Sequence, residues 1–243
     1  PHTHTHTHKS RRNTQESATM STTIKLLQSN QVFFLRCLLP VICASALAVS
    51  KILTRMLQVD EAKKVLKLCD FGSACMSHEN EITPYLVSRF YRAPEIMLGL
   101  PYDHQIDVWS VGCCLYELST GHILFPGKTN NEMLKLFMEL KGKFSHKLLR
   151  KAQFRDLHFD DDFNFLSKEV DPVSGTSIVK KIASFKPKDL QAMLLGGSSG
   201  KTTGEEFKKV VQLKDLLDKC FVLDPAKRLT VNEALNHPFL SGK

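Results

Sequence analysis

No glycine precedes Gly72 in this chain of 243 residues. A loop that wraps its backbone around phosphates relies on glycines, which reach positive φ and allow close approach. No such loop lies ahead of Gly72. Carboxylates are scarce in the same part of the chain, where only Glu16, Asp60 and Glu61 come before Asp70. Seven cysteines, at 37, 43, 69, 75, 113, 114 and 220, include no Cys-x-x-Cys pair. This leaves no zinc site by ligand spacing and no disulfide framework. Their odd number, in mostly apolar runs, points to buried free thiols in a reducing compartment. Adjacent Cys113 and Cys114 point to different helix faces and suit packing better than chemistry. A block of like charge is also missing: the formal charge of +8 and pI near 9.1 come from scattered lysines. Direct nucleic-acid binding is therefore not expected.

What is present is ordinary for a soluble globular protein, with 42% hydrophobic and 24% charged residues. The length suits one large domain or two small ones. Residues 1–31 carry little hydrophobic pattern and read as disordered, low-complexity sequence. Within them His2, His4, His6 and His8 alternate with threonines. That is a metal site on the bold reading and a translated simple repeat on the plainer one. Starting at Pro1 rather than Met, the chain reads as a fragment. Residues 32–49 are apolar but broken by Arg36 and Pro40, short of the ~20 apolar residues of a membrane helix. A signal or anchor, a buried core helix and sequence from a misjudged exon are the readings of this stretch, with the whole of 32–64 of uncertain origin.

From Val65 the pattern changes. Val65-Leu66-Lys67-Leu68-Cys69 alternates as a half-buried strand does. It leads into Asp70-Phe71-Gly72, and Ala93-Pro94-Glu95 follows after a segment containing Tyr85 and Ser88. An aspartate at a strand end beside a glycine can reach a metal held on a phosphate chain, because the glycine lets the backbone turn sharply. Farther on, Asp103 and Gly121 bracket a helix that is apolar on nearly every face. Asp107, inside it, is either a buried carboxylate needing hydrogen bonds or a first-turn acid in solvent favoured by the helix dipole. Leu124-Phe125-Pro126-Gly127 is a turn before a helix at Asn130 to Lys141, with Met133, Leu134, Leu136, Phe137 and Leu140 on one side. Residues 142–208 show little periodicity and read as an insert. Lys208–Val222 and Thr230–Leu235 are amphipathic. Gly196 to Lys201-Thr202 resembles a phosphate loop, but only three residues separate Gly196 from Gly200 where that motif needs four. A surface loop is the reading preferred.

Asp-Phe-Gly and Ala-Pro-Glu, in this order and at this spacing, resemble the magnesium and activation-loop signature of protein kinases. Residues 65–243 resemble the C-terminal half of a kinase of the CMGC group. The run Ser88 to Glu95, the turn Leu124 to Gly127 and the insert carry that assignment. Within the group, Val65–Ala74, Ile82–Glu95, Pro126–Asn131 and Gln212–Asp218 look most like the spliceosomal pre-mRNA-processing Ser/Thr kinases, relatives of the dual-specificity tyrosine-regulated kinases.

The resemblance implies a mainly α fold, a kinase-like C-lobe with a small β-hairpin region, the N-lobe being absent. It implies that Asp70 binds magnesium and that Phe71 packs to set the active state beside Gly72. Tyr85 is the phosphorylated activation-loop tyrosine, with its phosphate on Arg89 and Arg92; the plainer reading is an exposed loop tyrosine. Ser88 lines the pocket for the substrate residue after the phosphoacceptor. Asp107 ties the central helix to the catalytic loop, and Glu95 pairs with Arg228. The catalytic loop itself should fall near Ser50–Arg55, where neither Ser50 nor Arg55 can act as base or magnesium ligand. The nucleotide lysine and its glutamate partner likewise have no counterpart. The expectation is therefore a partial kinase domain. ATP and Mg2+ belong to the complete family member, splicing factors are plausible protein substrates, and the nucleus is the location. A membrane or secretory location is the alternative if residues 32–49 act as an anchor or signal, and a non-catalytic binding lobe is the alternative function.

Overall fold

The computed structural model describes residues 82–170, 174–196 and 204–241, together with four short strands nearer the N-terminus. These are β1 (Leu47–Ala48), β2 (Leu57–Val59), β3 (Leu66–Leu68) and β4 (Cys75–Met76). β1 pairs antiparallel with β4, and β2 with β3. Asp70, Phe71 and Gly72 lie outside the described residues. So do the His-Thr repeat, the Ser50–Arg55 stretch, Gly200-Lys201-Thr202, and residues 32–49 apart from β1.

The described body is helix-rich. Helix α1 (Pro94–Leu98) starts on a proline at its first turn, where a missing N–H costs nothing. It stops at Gly99, whose φ of 67° suits glycine. A Cβ there would sit 2.6 Å from the Phe154 ring. Helix α2 (Gln105–Thr120) follows, with the Asp103 carboxylate accepting from the Gln105 N–H and Gly121 as left-handed C-cap. It is buried on nearly every face, as its composition predicts. Asp107 is fully buried in its first turn, which corrects the reading of a solvated acid there.

Helix α3 (Asn130–Lys141) begins where the Thr129 side chain accepts from the Glu132 N–H. Met133, Leu134, Phe137 and Met138 face the core. Trp109 of α2 meets Phe125, Phe137 and Phe221 with ring centroids 4.7–5.8 Å apart, mostly edge to face. Gly112 lets Phe221 approach, since a Cβ would lie 2.8 Å from that ring. Cys113, Cys114 and Cys220 are buried free thiols beside this cluster. Burial pushes Cys220 up to about 12, so it stays protonated.

The insert is more ordered than its sequence suggests. It holds α4 (His146–Leu149), an antiparallel hairpin of β5 (Phe165–Val170) with β6 (Ser177–Ile182), and α5 (Leu190–Leu195). Its end also differs from the expectation, because α6 (Gly204–Cys220) starts four residues before Lys208. Glu205 and Glu206 in its first turn complement the helix dipole. Leu213, Leu216, Leu217 and Cys220 recur at helical period and are buried. Helix α7 (Val231–Leu235) is started by a capping box between Thr230 and Glu233, and α8 (Pro238–Ser241) follows. None of the helices among the described residues is long and apolar enough to cross a membrane.

Candidate functional site

The segment from Ile82 to Leu100 bonds α2 at Ser110 and Glu117 and the N-terminal end of α3 at Asn130. Its second half is deeply packed, with every residue from Tyr91 to Leu100 buried. A single 3-10 turn at Arg89–Tyr91 sends the chain inward. Tyr91 fixes that turn. Its carbonyl accepts from Ser110 Oγ at 2.8 Å, and its phenol donates to Glu117 at 2.5 Å. Burial first, then the Glu117 carboxylate, hold the phenol well above its ordinary pKa.

Glu95 and Arg228 meet beneath this turn although 133 residues separate them. Arg228 Nη1 donates to one carboxylate oxygen at 2.6 Å and Nη2 to the other at 2.8 Å. Both side chains are fully buried. Two further donors are bonded: Nη1 reaches the Gln105 carbonyl at 2.7 Å and Nε the Val222 carbonyl at 3.1 Å, so four of the five N–H groups have partners. The guanidinium lies over Trp109, 5.2 Å from the ring centroid. This is the geometry in which a buried pair is tolerated, bidentate with further N–H groups bonded to carbonyls.

Arg92 holds the outer half of the segment. Its Nε donates to the Leu86 carbonyl at 2.8 Å, and Nη2 to Val87 at 2.8 Å and Tyr85 at 3.3 Å. Nη1 donates to Asn130 Oδ1 at 2.6 Å. Burial and the neighbouring Arg89 charge lower the guanidinium to about 10. Val87 has φ of 70°, a conformation rare for a β-branched residue and a mark of strain at a functional segment. Tyr85 is 75% exposed, with its ring 5.9 Å from the Arg92 guanidinium. Ser88 and Arg89 are exposed too. The Arg89 guanidinium has no hydrogen-bond or carboxylate partner among the described residues, whereas that of Arg92 is largely committed to backbone carbonyls.

The structure thus gathers exposed Tyr85, Ser88 and Arg89 on one surface strip with buried Arg92 beneath it, and puts Glu95, Asp107 and Arg228 in the core behind. Asp70, Phe71 and Gly72, outside the described residues, cannot be located against them. Among the described residues no group of three or more His, Cys, Asp or Glu could hold a metal ion. Sequence reasoning missed Asn130, Glu117 and Ser110. A neutral amide or hydroxyl that bonds a carbonyl leaves no charge pattern to read.

The family model for the protein kinase domain matches residues 52–240. The chain belongs to the protein kinase family. This match takes in residues 52–64, upstream of the stretch whose motifs carry the resemblance. The serine/threonine-protein kinase prp4 of Schizosaccharomyces pombe is 54% identical over 186 residues, 76% of this chain and 39% of that kinase. The serine/threonine-protein kinase prpf4B of Dictyostelium discoideum is 55% identical over 185 residues, 75% of this chain and 22% of that one. The rat dual specificity tyrosine-phosphorylation-regulated kinase 3 is 36% identical over 191 residues, 74% of this chain and 30% of that kinase. The chain spans well under half the length of these kinases. Their order of identity agrees with membership of the CMGC group on the side of the prp4-type kinases.

Proposed function

We propose that residues 82–241 form the substrate-side lobe of a protein serine/threonine kinase, with Tyr85 to Arg92 as the strip along which a protein substrate lies. The observation that carries this reading is the held shape of that strip. Arg92 fixes three consecutive carbonyls, and Glu95–Arg228 anchors the segment behind it. With the Val87 carbonyl committed to Arg92, a substrate residue passing Ser88 finds no acceptor there for its own N–H. Proline has no N–H to leave unpaired, so serine or threonine followed by proline is the substrate pattern this surface favours. Exposed Tyr85 is the phosphorylation site on this reading, and Arg89 is its open cationic neighbour. Likeness to the prp4-type kinases makes nuclear splicing factors the substrate class.

ATP and magnesium are the co-substrate and metal of the family, and the residues of this chain do not fit them as a complete site. Asp70 is the one matched magnesium ligand. Before it the sequence holds no glycine to line a phosphate loop and no aspartate or asparagine at the catalytic-loop position. No phosphoryl-transfer step is derived from these residues. The polypeptide as written binds substrate peptides without phosphorylating them. Purified chain should therefore transfer no phosphate from magnesium-ATP to a basic Ser-Pro peptide. Transfer that Asp70→Ala abolishes would overturn this.

A further inference from the structure

Asn130 occupies the first position of α3, where its own helix has no use for its side chain. The capping is done by Thr129 and Glu132: the Thr129 side chain accepts from the Glu132 N–H, and Glu132 accepts from the Lys128 N–H at 2.6 Å. Both hydrogen bonds of the Asn130 amide instead run far back along the chain. Nδ2 donates to the Pro84 carbonyl at 3.1 Å, and Oδ1 accepts from Arg92 Nη1 at 2.6 Å. With the three carbonyls that Arg92 takes, the two side chains hold four in succession: Pro84, Tyr85, Leu86 and Val87. A planar guanidinium placed by one amide determines where the last three point, because its donors leave in fixed directions, and the same amide holds the first. The last of the four is the residue with φ of 70°.

We infer that Asn130 is a positioning residue for substrate selection: by orienting Arg92 and gripping Pro84, it keeps the Val87 carbonyl turned away from the substrate, and so enforces the preference for proline after the phosphoacceptor. The inference rests on the reading of this strip as the substrate surface. It assigns the selection to a residue that touches neither substrate nor nucleotide. It also makes the strip's shape independent of a phosphate on Tyr85, because every bond named forms with an unmodified tyrosine. Without Asn130, Arg92 Nη1 loses its anchor and Pro84 its donor. Val87 can then relax to negative φ, which frees its carbonyl to accept an N–H from a residue other than proline.

The test uses the full chain and two fluorescent peptides that differ only in proline or alanine after the serine, with binding read by anisotropy. Wild type should prefer the proline peptide. Asn130→Ala should reduce the preference by about fivefold, the scale of one lost hydrogen bond, mainly by tightening the alanine peptide. Asn130→Asp keeps the acceptor for Arg92 and should keep most of the preference, a rescue that a purely structural role does not produce. Hydrogen exchange should rise at Tyr85–Val87 in Asn130→Ala and stay low in Asn130→Asp. An unchanged preference in Asn130→Ala beside a selective wild type overturns the role of Asn130 alone. A wild type that does not distinguish the peptides removes the substrate-strip reading and the inference with it. If Asn130→Ala does not fold, loss of preference in Asn130→Asp equal to that of Arg92→Lys overturns the inference.

Discussion

Two arginines hold the same segment of this kinase chain by different chemistry. Arg228 sits in the dry core, bonded to both oxygens of Glu95 and stacked over Trp109. Arg92 sits nearer the rim, its side chain also buried but bonded to neutral carbonyls and one amide. A charge pair in the core has no substitute partner once broken, since water does not reach it. An arginine bonded only to neutral groups leaves no unpaired charge behind when it lets go. The first arrangement decides whether the lobe is folded, and the second decides what shape the segment from Pro84 to Val87 takes.

The largest effect should come from breaking the core pair. Glu95→Ala leaves an uncompensated guanidinium in the core and should cost about 3–5 kcal/mol, read as a shift in urea unfolding. Adding Arg228→Met should recover part of that loss, because no buried charge is then left alone. If Glu95→Ala costs no more than a rim substitution, the distinction between the two arginines fails.

How far the sequence could be read follows the same divide. Glu95 and Arg228 can be paired from sequence because each belongs to a recognisable motif and carries a charge that needs a partner. The bounds of α3 match the spacing of its apolar residues, although Leu136 and Leu140 turn out only partly buried while Met138 is buried. The hairpin of β5 and β6 escaped because its alternation is masked: Ser167 is buried and Lys168 is exposed. Asn131 holds it alongside the packing of Phe165 against Phe159 and Phe185. Its amide donates to the Leu166 carbonyl at 2.9 Å and to His158 Nδ1 at 3.2 Å, and accepts from the Lys168 N–H at 2.8 Å. Adjacent asparagines thus face opposite ways, Asn130 to the activation segment and Asn131 to the insert, and nothing in Asn-Asn announces either role.

Acid offers a second way to separate core from rim, through His158. Burial first, then the Lys168 charge, lower its imidazole to about 4 from an ordinary 6.5. The unfolded chain therefore takes up a proton before the folded one as pH falls. Stability from the neutral form is complete above about pH 6.5 and is lost as pH drops towards 4, amounting to on the order of 2–3 kcal/mol. His158→Gln should flatten this dependence over that window while leaving the Glu95→Ala penalty unchanged at pH 7.5. A slope between pH 6.5 and 4 that His158→Gln leaves as steep as wild type would trace the acid sensitivity to another group.

The smallest global effect should come from Arg92→Lys. An ammonium has three donors on one atom and cannot reach carbonyls that diverge as those of Tyr85, Leu86 and Val87 do. The Tyr85 and Leu86 carbonyls are part-exposed and can turn to water, whereas the Val87 carbonyl is buried, so the global loss should be about 1–2 kcal/mol, the scale of one buried acceptor left unpaired. The local consequence should be much larger than that figure suggests. Val87 would no longer be held at φ 70°, and cleavage by chymotrypsin after exposed Tyr85 should accelerate well before any change in the unfolding midpoint. Arg228→Lys should do the reverse, lowering the midpoint by several times as much while leaving Tyr85 cleavage in the folded population at the wild-type rate. Equal midpoint shifts for the two lysine variants would show that Arg92 is as much a part of the core as Arg228, and that the segment from Pro84 to Val87 cannot change shape without unfolding the lobe.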